Sequence, residues 1–151
     1  MIMDFNHLIP ELKDWNDGKG IDIQGWIGFI GNFQEAIGYS VIFWPTFVEI
    51  EGCTVREGIP RDNVLLWLKH FKGDRERVEA MVNHLHIEDL HYDGCKDSSP
   101  ERLSYLGRLL EEIYDCKLKR DFPNKTFNVV FDEPENKEDL HGYILTFYQS
   151  G

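Results

Sequence analysis

The chain has 151 residues, 42% of them hydrophobic and 13% aromatic, with a net charge of −11. Those values point to one folded domain over 1–151 with a real core, and they exclude an intrinsically disordered chain. The acidity argues against nucleic acid and against an anionic membrane surface, both of which present phosphate, and it admits a basic protein as partner.

The charge is uneven. Residues 1–60 carry nine acids and three bases, residues 61–125 thirteen and twelve, and residues 126–151 five and one, so the excess acid sits in the outer thirds. Cys53, Cys95 and Cys116 are widely spaced and include no C-x-x-C pair. The first fifteen residues lack a basic stretch followed by a long apolar one, so no secretory signal is expected. No apolar run reaches the roughly 18 residues that span a bilayer. A reducing, cytoplasmic setting is the simplest expectation.

In chain order, a short helix is predicted around Pro10 to Trp15, ended by the turn residues Asn16-Asp-Gly-Lys-Gly20. Asp22 is a candidate N-cap for a helix in which Ile23, Trp26, Ile27 and Ile30 share one face. Gly25, Gly28 and Gly31 recur every third residue, which is costly in a helix unless another backbone approaches closely. Residues 39–44, Tyr-Ser-Val-Ile-Phe-Trp, are β-branched and aromatic and predict a buried strand stopped by Pro45. Residues 46–50 and 53–57 flank Glu51-Gly52, the signature of a two-residue hairpin.

Two helices follow. Val64, Trp67, Leu68 and Phe71 share a face before Gly73, and Val78, Met81, Val82 and Leu85 share a face after the cap Asp74. Lys69, Lys72, Arg75 and Arg77 are diluted by Asp74, Glu76 and Glu79, and read together as a solvated face. A loop is predicted at Gly94 and Lys96-Asp-Ser-Ser. Ser99-Pro100 then opens a long helix with Leu103, Leu106, Leu110 and Ile113 on one side. Gly107 in its middle predicts a close crossing by a neighbour. Residues 126–132 and 143–149 alternate as strands around the acidic loop Glu133–Asp139. The expected fold is α+β, with four to five strands in one antiparallel or mixed sheet and four to five helices over one face.

His84, His86 and His91 fall within eight positions, mixed with Glu88, Asp89, Asp93 and Cys95; if the helix continues, His84, Glu88 and His91 share one face, and if it ends near His86 the residues enter an irregular turn. Imidazole and carboxylate are ligand types that zinc and similar ions take, so His84, His86, His91 and Asp89 are candidate ligands for a divalent metal, the one cofactor the pattern admits. On that reading the chain is a small metal-dependent hydrolase using His84, His86 and His91 with Asp89 or Asp93, whose metal activates water while a nearby acid serves as base. A pocket lined by Trp15, Trp26 and Trp44 is a further alternative. The sequence has no P-loop and no G-x-S-x-G elbow. The leading expectation is therefore a regulatory protein that acts by protein–protein binding, in the manner of a toxin-neutralising immunity protein on a basic partner. Glu133, Glu135, Glu138 and Asp139 are its candidate contacts.

Overall fold

A computed structural model describes residues 4–93 and 95–151. The start of the N-terminal stretch, Met1–Met3, and the predicted loop residue Gly94 lie outside them. Two compact units divide the chain, Met1–Ile42 and Phe43–Gly151.

In the first unit, 3₁₀ turns at Phe5–His7 and Pro10–Lys13 precede α1 (Ile23–Ile30) and α2 (Phe33–Phe43). The Asp22 carboxylate caps α1 by accepting from the Gly25 N–H at 2.8 Å, as its position predicts. Asn32 does the same for α2, its side-chain oxygen accepting from the Glu35 N–H at 2.8 Å. The strand expected at 39–44 is thus the second half of a helix. Once the Asn32 cap has closed the first turn, each further residue adds a hydrogen bond at little cost, and β propensity is too weak to break the run before Pro45. The close approach expected at the glycines is absent at Gly28, where an added methyl would meet nothing within 4 Å.

The second unit contains β1 (Phe47–Ile50), β2 (Cys53–Arg56), α3 (Arg61–His70), α4 (Arg75–Val82), β3 (Leu85–His86), α5 (Pro100–Asp121), β4 (Phe127–Asp132) and β5 (Ile144–Gln149). β1 and β2 pair in register Ile50↔Cys53 around a turn whose central residues have φ of 53° at Glu51 and 80° at Gly52. Positive φ at both positions matches the strand twist, which is what Glu-Gly supplies here. Asp74 caps α4 and Ser99 caps α5, each accepting at 3.3 Å from the N–H three residues on.

The α+β class stands, but the strands form two antiparallel sheets instead of one: β1-β2, and β3-β5-β4. α5 packs on the second sheet, burying Leu103, Leu110, Tyr114 and Leu118 against Phe127, Leu145 and Phe147. Thr146 projects from the other face of β5 and donates to the Ala80 carbonyl of α4 at 2.7 Å. Helices therefore lie against both faces of this sheet and not one. A second, smaller core joins Cys53 and Val55 of the hairpin to Val64, Val78 and Val82 of α3 and α4.

Two side chains, Glu79 of α4 and its C-cap Asn83, explain why the sheets stay apart. In a hairpin with a two-residue turn, alternate residues point their backbone groups away from the partner strand. On β2 those residues are Thr54 and Arg56. The Thr54 N–H donates to Glu79 at 2.7 Å and the Arg56 N–H to Asn83 at 3.2 Å. The Thr54 carbonyl accepts from the Asn83 amide at 2.9 Å. The second Glu79 oxygen accepts from the Gln149 N–H at 2.5 Å, at the free end of β5. Glu79 and Asn83 are one turn apart and buried, so α4 satisfies the outer edge of β2 as a neighbouring strand would. Placing Glu79 on a solvated face is thereby corrected: it is fully buried and bridges both sheets.

Candidate functional site

The histidine run leaves α4 at Asn83. His86 lies in β3, Asp89 in a 3₁₀ turn at Ile87–Leu90, and His91 in extended backbone after it. The helical arrangement that would align His84, Glu88 and His91 does not form. The His84 ring meets the His86 ring edge-on with centroids 5.2 Å apart. His86 stacks flat on His141, 3.7 Å away and 9° from parallel. His141 comes from a 3₁₀ turn at Leu140–Gly142 just before β5, 55 residues along the chain, and nothing in the local sequence announces it.

His84 Nδ1 donates to the Met81 carbonyl, and His86 Nδ1 donates to the His141 carbonyl at 2.7 Å. A carbonyl only accepts, so Nδ1 is the donor in both rings. His141 Nδ1 lies 3.6 Å from the Glu88 carboxylate. The lone pairs of parallel stacked rings lie in parallel planes and do not converge on one ion. His91 lies beyond the 3₁₀ turn, in the neighbourhood of Asp97. That carboxyl is held below its usual range first by the Cys95 thiol, with Arg102 and His91 adding to the effect. Among the described residues no group of three or more histidine, cysteine, aspartate or glutamate side chains is placed to hold a metal ion. His84, His86, His91 and Asp89 are therefore neighbours in sequence without forming one coordination sphere.

The cysteines are free. Burial pushes the Cys53 thiol up to about 11, and the bond to Asp97 raises that of Cys95, so neither is primed as a nucleophile. Trp15 tilts against Phe29 at 5.4 Å and Trp26 donates to Glu11 in the first unit. In the second unit Trp44 lies 5.4 Å from the Lys117 ammonium and 5.8 Å from the Arg120 guanidinium.

The loop between β4 and β5 is built differently at its two ends. Glu133 accepts from the Ser104 hydroxyl at 2.5 Å, from Arg108 Nε at 3.0 Å and from the Lys137 ammonium at 2.9 Å. Ser104 and Arg108 are one turn apart on α5, so the helix presents both donors to one carboxylate. The buried Tyr143 hydroxyl donates to the Lys137 carbonyl at 3.0 Å and pins the far side. Glu135, Glu138 and Asp139 remain exposed, and none of their carboxylates forms an ion pair among the described residues. Of the four acids expected at a contact, Glu133 is an anchor and the other three are free.

The donors hold the Glu133 carboxyl down to about 2 from a usual 4.5, the Ser104 hydroxyl contributing most. A depressed carboxyl stabilises the fold above its unfolded value and ceases to as pH falls through its folded value. Glu133→Gln is expected to lose on the order of 1–2 kcal/mol at pH 7, after allowance for partial exposure. The difference from wild type should shrink between pH 4.5 and about 2. Urea unfolding of both proteins across that range measures it, and a pH-independent difference would contradict the assignment.

No family model, curated protein or solved structure matches the chain.

Proposed function

We propose that the protein works in the cytosol by binding a basic protein, as an immunity protein does when it occludes a cationic enzyme. The observation that carries this reading is the anchored loop, which holds Glu135, Glu138 and Asp139 in water with no ion-pair partner among the described residues. A fixed loop loses little conformational freedom on binding, so its charge is available for association without a large ordering cost. The surrounding net charge of −11 adds a long-range field of the same sign, which draws a cationic partner in and repels anionic competitors. Three free thiols suit a reducing compartment.

The test is capture from a lysate of the source cells on immobilised wild-type protein, with the Glu135→Lys/Glu138→Lys/Asp139→Lys variant beside it. Wild type should retain a protein of high isoelectric point, released by about 0.5 M salt, where the screening length falls to a few ångströms. The variant should retain little of it. Equal recovery on both columns would contradict a role for the loop.

A further inference from the structure

We propose that the first unit carries a binding site for a small polar anion with more than one negative charge, held by Lys13 and Lys19. The site is independent of the acidic loop and of the basic partner proposed for it.

The first unit contains an open cleft of about 570 Å³. Small-molecule sites span roughly 300–1,000 Å³. Lys13, Gly18, Lys19 and Gly20 line it with Leu12 and Ile21, and Asn6 and Asp22 complete the lining. All of these residues belong to Met1–Ile42, so the cleft is built by one unit and not by a junction.

Charge selects the ligand. Residues 1–42 hold six acids and two bases, and the two bases are Lys13 and Lys19. Both line the same cleft, and neither ammonium forms an ion pair or a hydrogen bond among the described residues. Lys13 contributes to the lowering of the Asp4 carboxyl, but the hydrogen bonds from Asn6 are its main cause. Asp22 is the one acid in the lining, and it already accepts from the Gly25 N–H at 2.8 Å as the cap of α1. Two cations against one anion leave the lining at +1. The net charge of −11 opposes an anion only at long range, because at 0.15 M salt a field fades over about 8 Å and contact charges decide. Lysine acts as a point charge and not as a fork, so a phosphate monoester and a polycarboxylate share the chemistry that this pair recognises.

The loop that carries Lys19 is fixed before a ligand arrives. The Gly20 N–H donates to the Trp15 carbonyl at 2.8 Å, the Ile21 N–H to the Leu12 carbonyl at 2.9 Å, and the Asn16 amide to the Gly20 carbonyl at 2.9 Å. Asn16 and Asp17 both hold φ at 57°, and Gly18 follows at 82°. Successive non-glycine residues in the left-handed region are uncommon, and such backbone recurs at ligand clamps. A Cβ added at Gly18 would meet nothing within 4 Å, so a ligand can approach the backbone there.

The test titrates the full ¹⁵N-labelled chain with inorganic phosphate, and separately with citrate, at pH 7 and a constant ionic strength of 0.15 M set with chloride. The amide signals of Gly18, Lys19 and Gly20 should shift and saturate, with a dissociation constant on the order of 1 mM or tighter. Saturation by phosphate alone assigns a phosphate ligand and by citrate alone a polycarboxylate, and either result supports the site. Lys13→Gln/Lys19→Gln should weaken binding at least tenfold with the rest of the spectrum unchanged. Lys19→Glu alone should do the same, which covers the case in which the pair disturbs the loop. The Glu135→Lys/Glu138→Lys/Asp139→Lys variant should bind at least as well as wild type, which separates this site from the acidic loop. Shifts that never saturate, that spread evenly over the chain, or that persist in both lysine variants would overturn the proposal.

Discussion

Replacing Glu79 by alanine is expected to cost about 3–5 kcal/mol of unfolding free energy, read as a shift of the urea midpoint at pH 7. The substitution removes the acceptor of the Thr54 N–H, the Gln149 N–H and the Gln149 side-chain amide at once. The Gln149 amide keeps the Thr54 hydroxyl as an acceptor, but the two backbone donors lose theirs; each costs roughly 1–3 kcal/mol, and entry of water into the vacated volume relieves part of the sum. The loss should be larger than for an ordinary surface glutamate because two sheets depend on one carboxylate. Glu79→Gln should lose less, about 2–3 kcal/mol, since its oxygen still accepts while its NH₂ faces other donors. A change under about 1 kcal/mol for the alanine variant would show that the edges of β2 and β5 are held by something else.

Gly107→Ala is expected to destabilise by about 2–3 kcal/mol, against the usual sign for that substitution inside a helix. Alanine gains about 1 kcal/mol over glycine in a helix interior. Here the added methyl would fall 2.1 Å from Cε2 and 2.2 Å from Cζ of Phe131. No rotamer of a methyl group avoids that overlap, so the Phe131 ring must swing away from Tyr143, on which it stacks at 6.4 Å. Overpacking of this order costs about 1–3 kcal/mol or more, which exceeds the propensity gain. A double-mutant cycle separates the terms. In a Phe131→Ala background the same change should become neutral or stabilising. If Gly107→Ala stabilises the wild-type background, the crossing of β4 over α5 is looser than described.

The features legible in the sequence are those decided within a few residues. Asp22, Asp74 and Ser99 cap the helices they precede, Glu51-Gly52 turns the hairpin, and the close neighbour inferred at Gly107 is Phe131. Residues 39–44 were ambiguous for a physical reason: a six-residue apolar run fits a buried strand and a helical turn and a half equally well. The deciding residue, Asn32, stands seven positions upstream. The division into two sheets was out of reach because strand pairing is non-local, and because an acid within Glu-Arg-Val-Glu-Ala reads as solvated. Only the fold places Glu79 between Thr54 and Gln149. The sites follow the same rule. His84 and His86 do come together, yet the third ring of their cluster is His141 and not His91. Glu133 looks like its acidic neighbours until α5 brings Ser104 and Arg108 to it.

The association rate of the captured basic partner, measured by stopped flow at 20 mM and 500 mM salt, tests the central claim most directly. Wild type should associate at least tenfold faster at low salt than at high salt, with the Glu135→Lys/Glu138→Lys/Asp139→Lys variant slow at both. A rate that depends on neither salt nor those three charges would contradict the account.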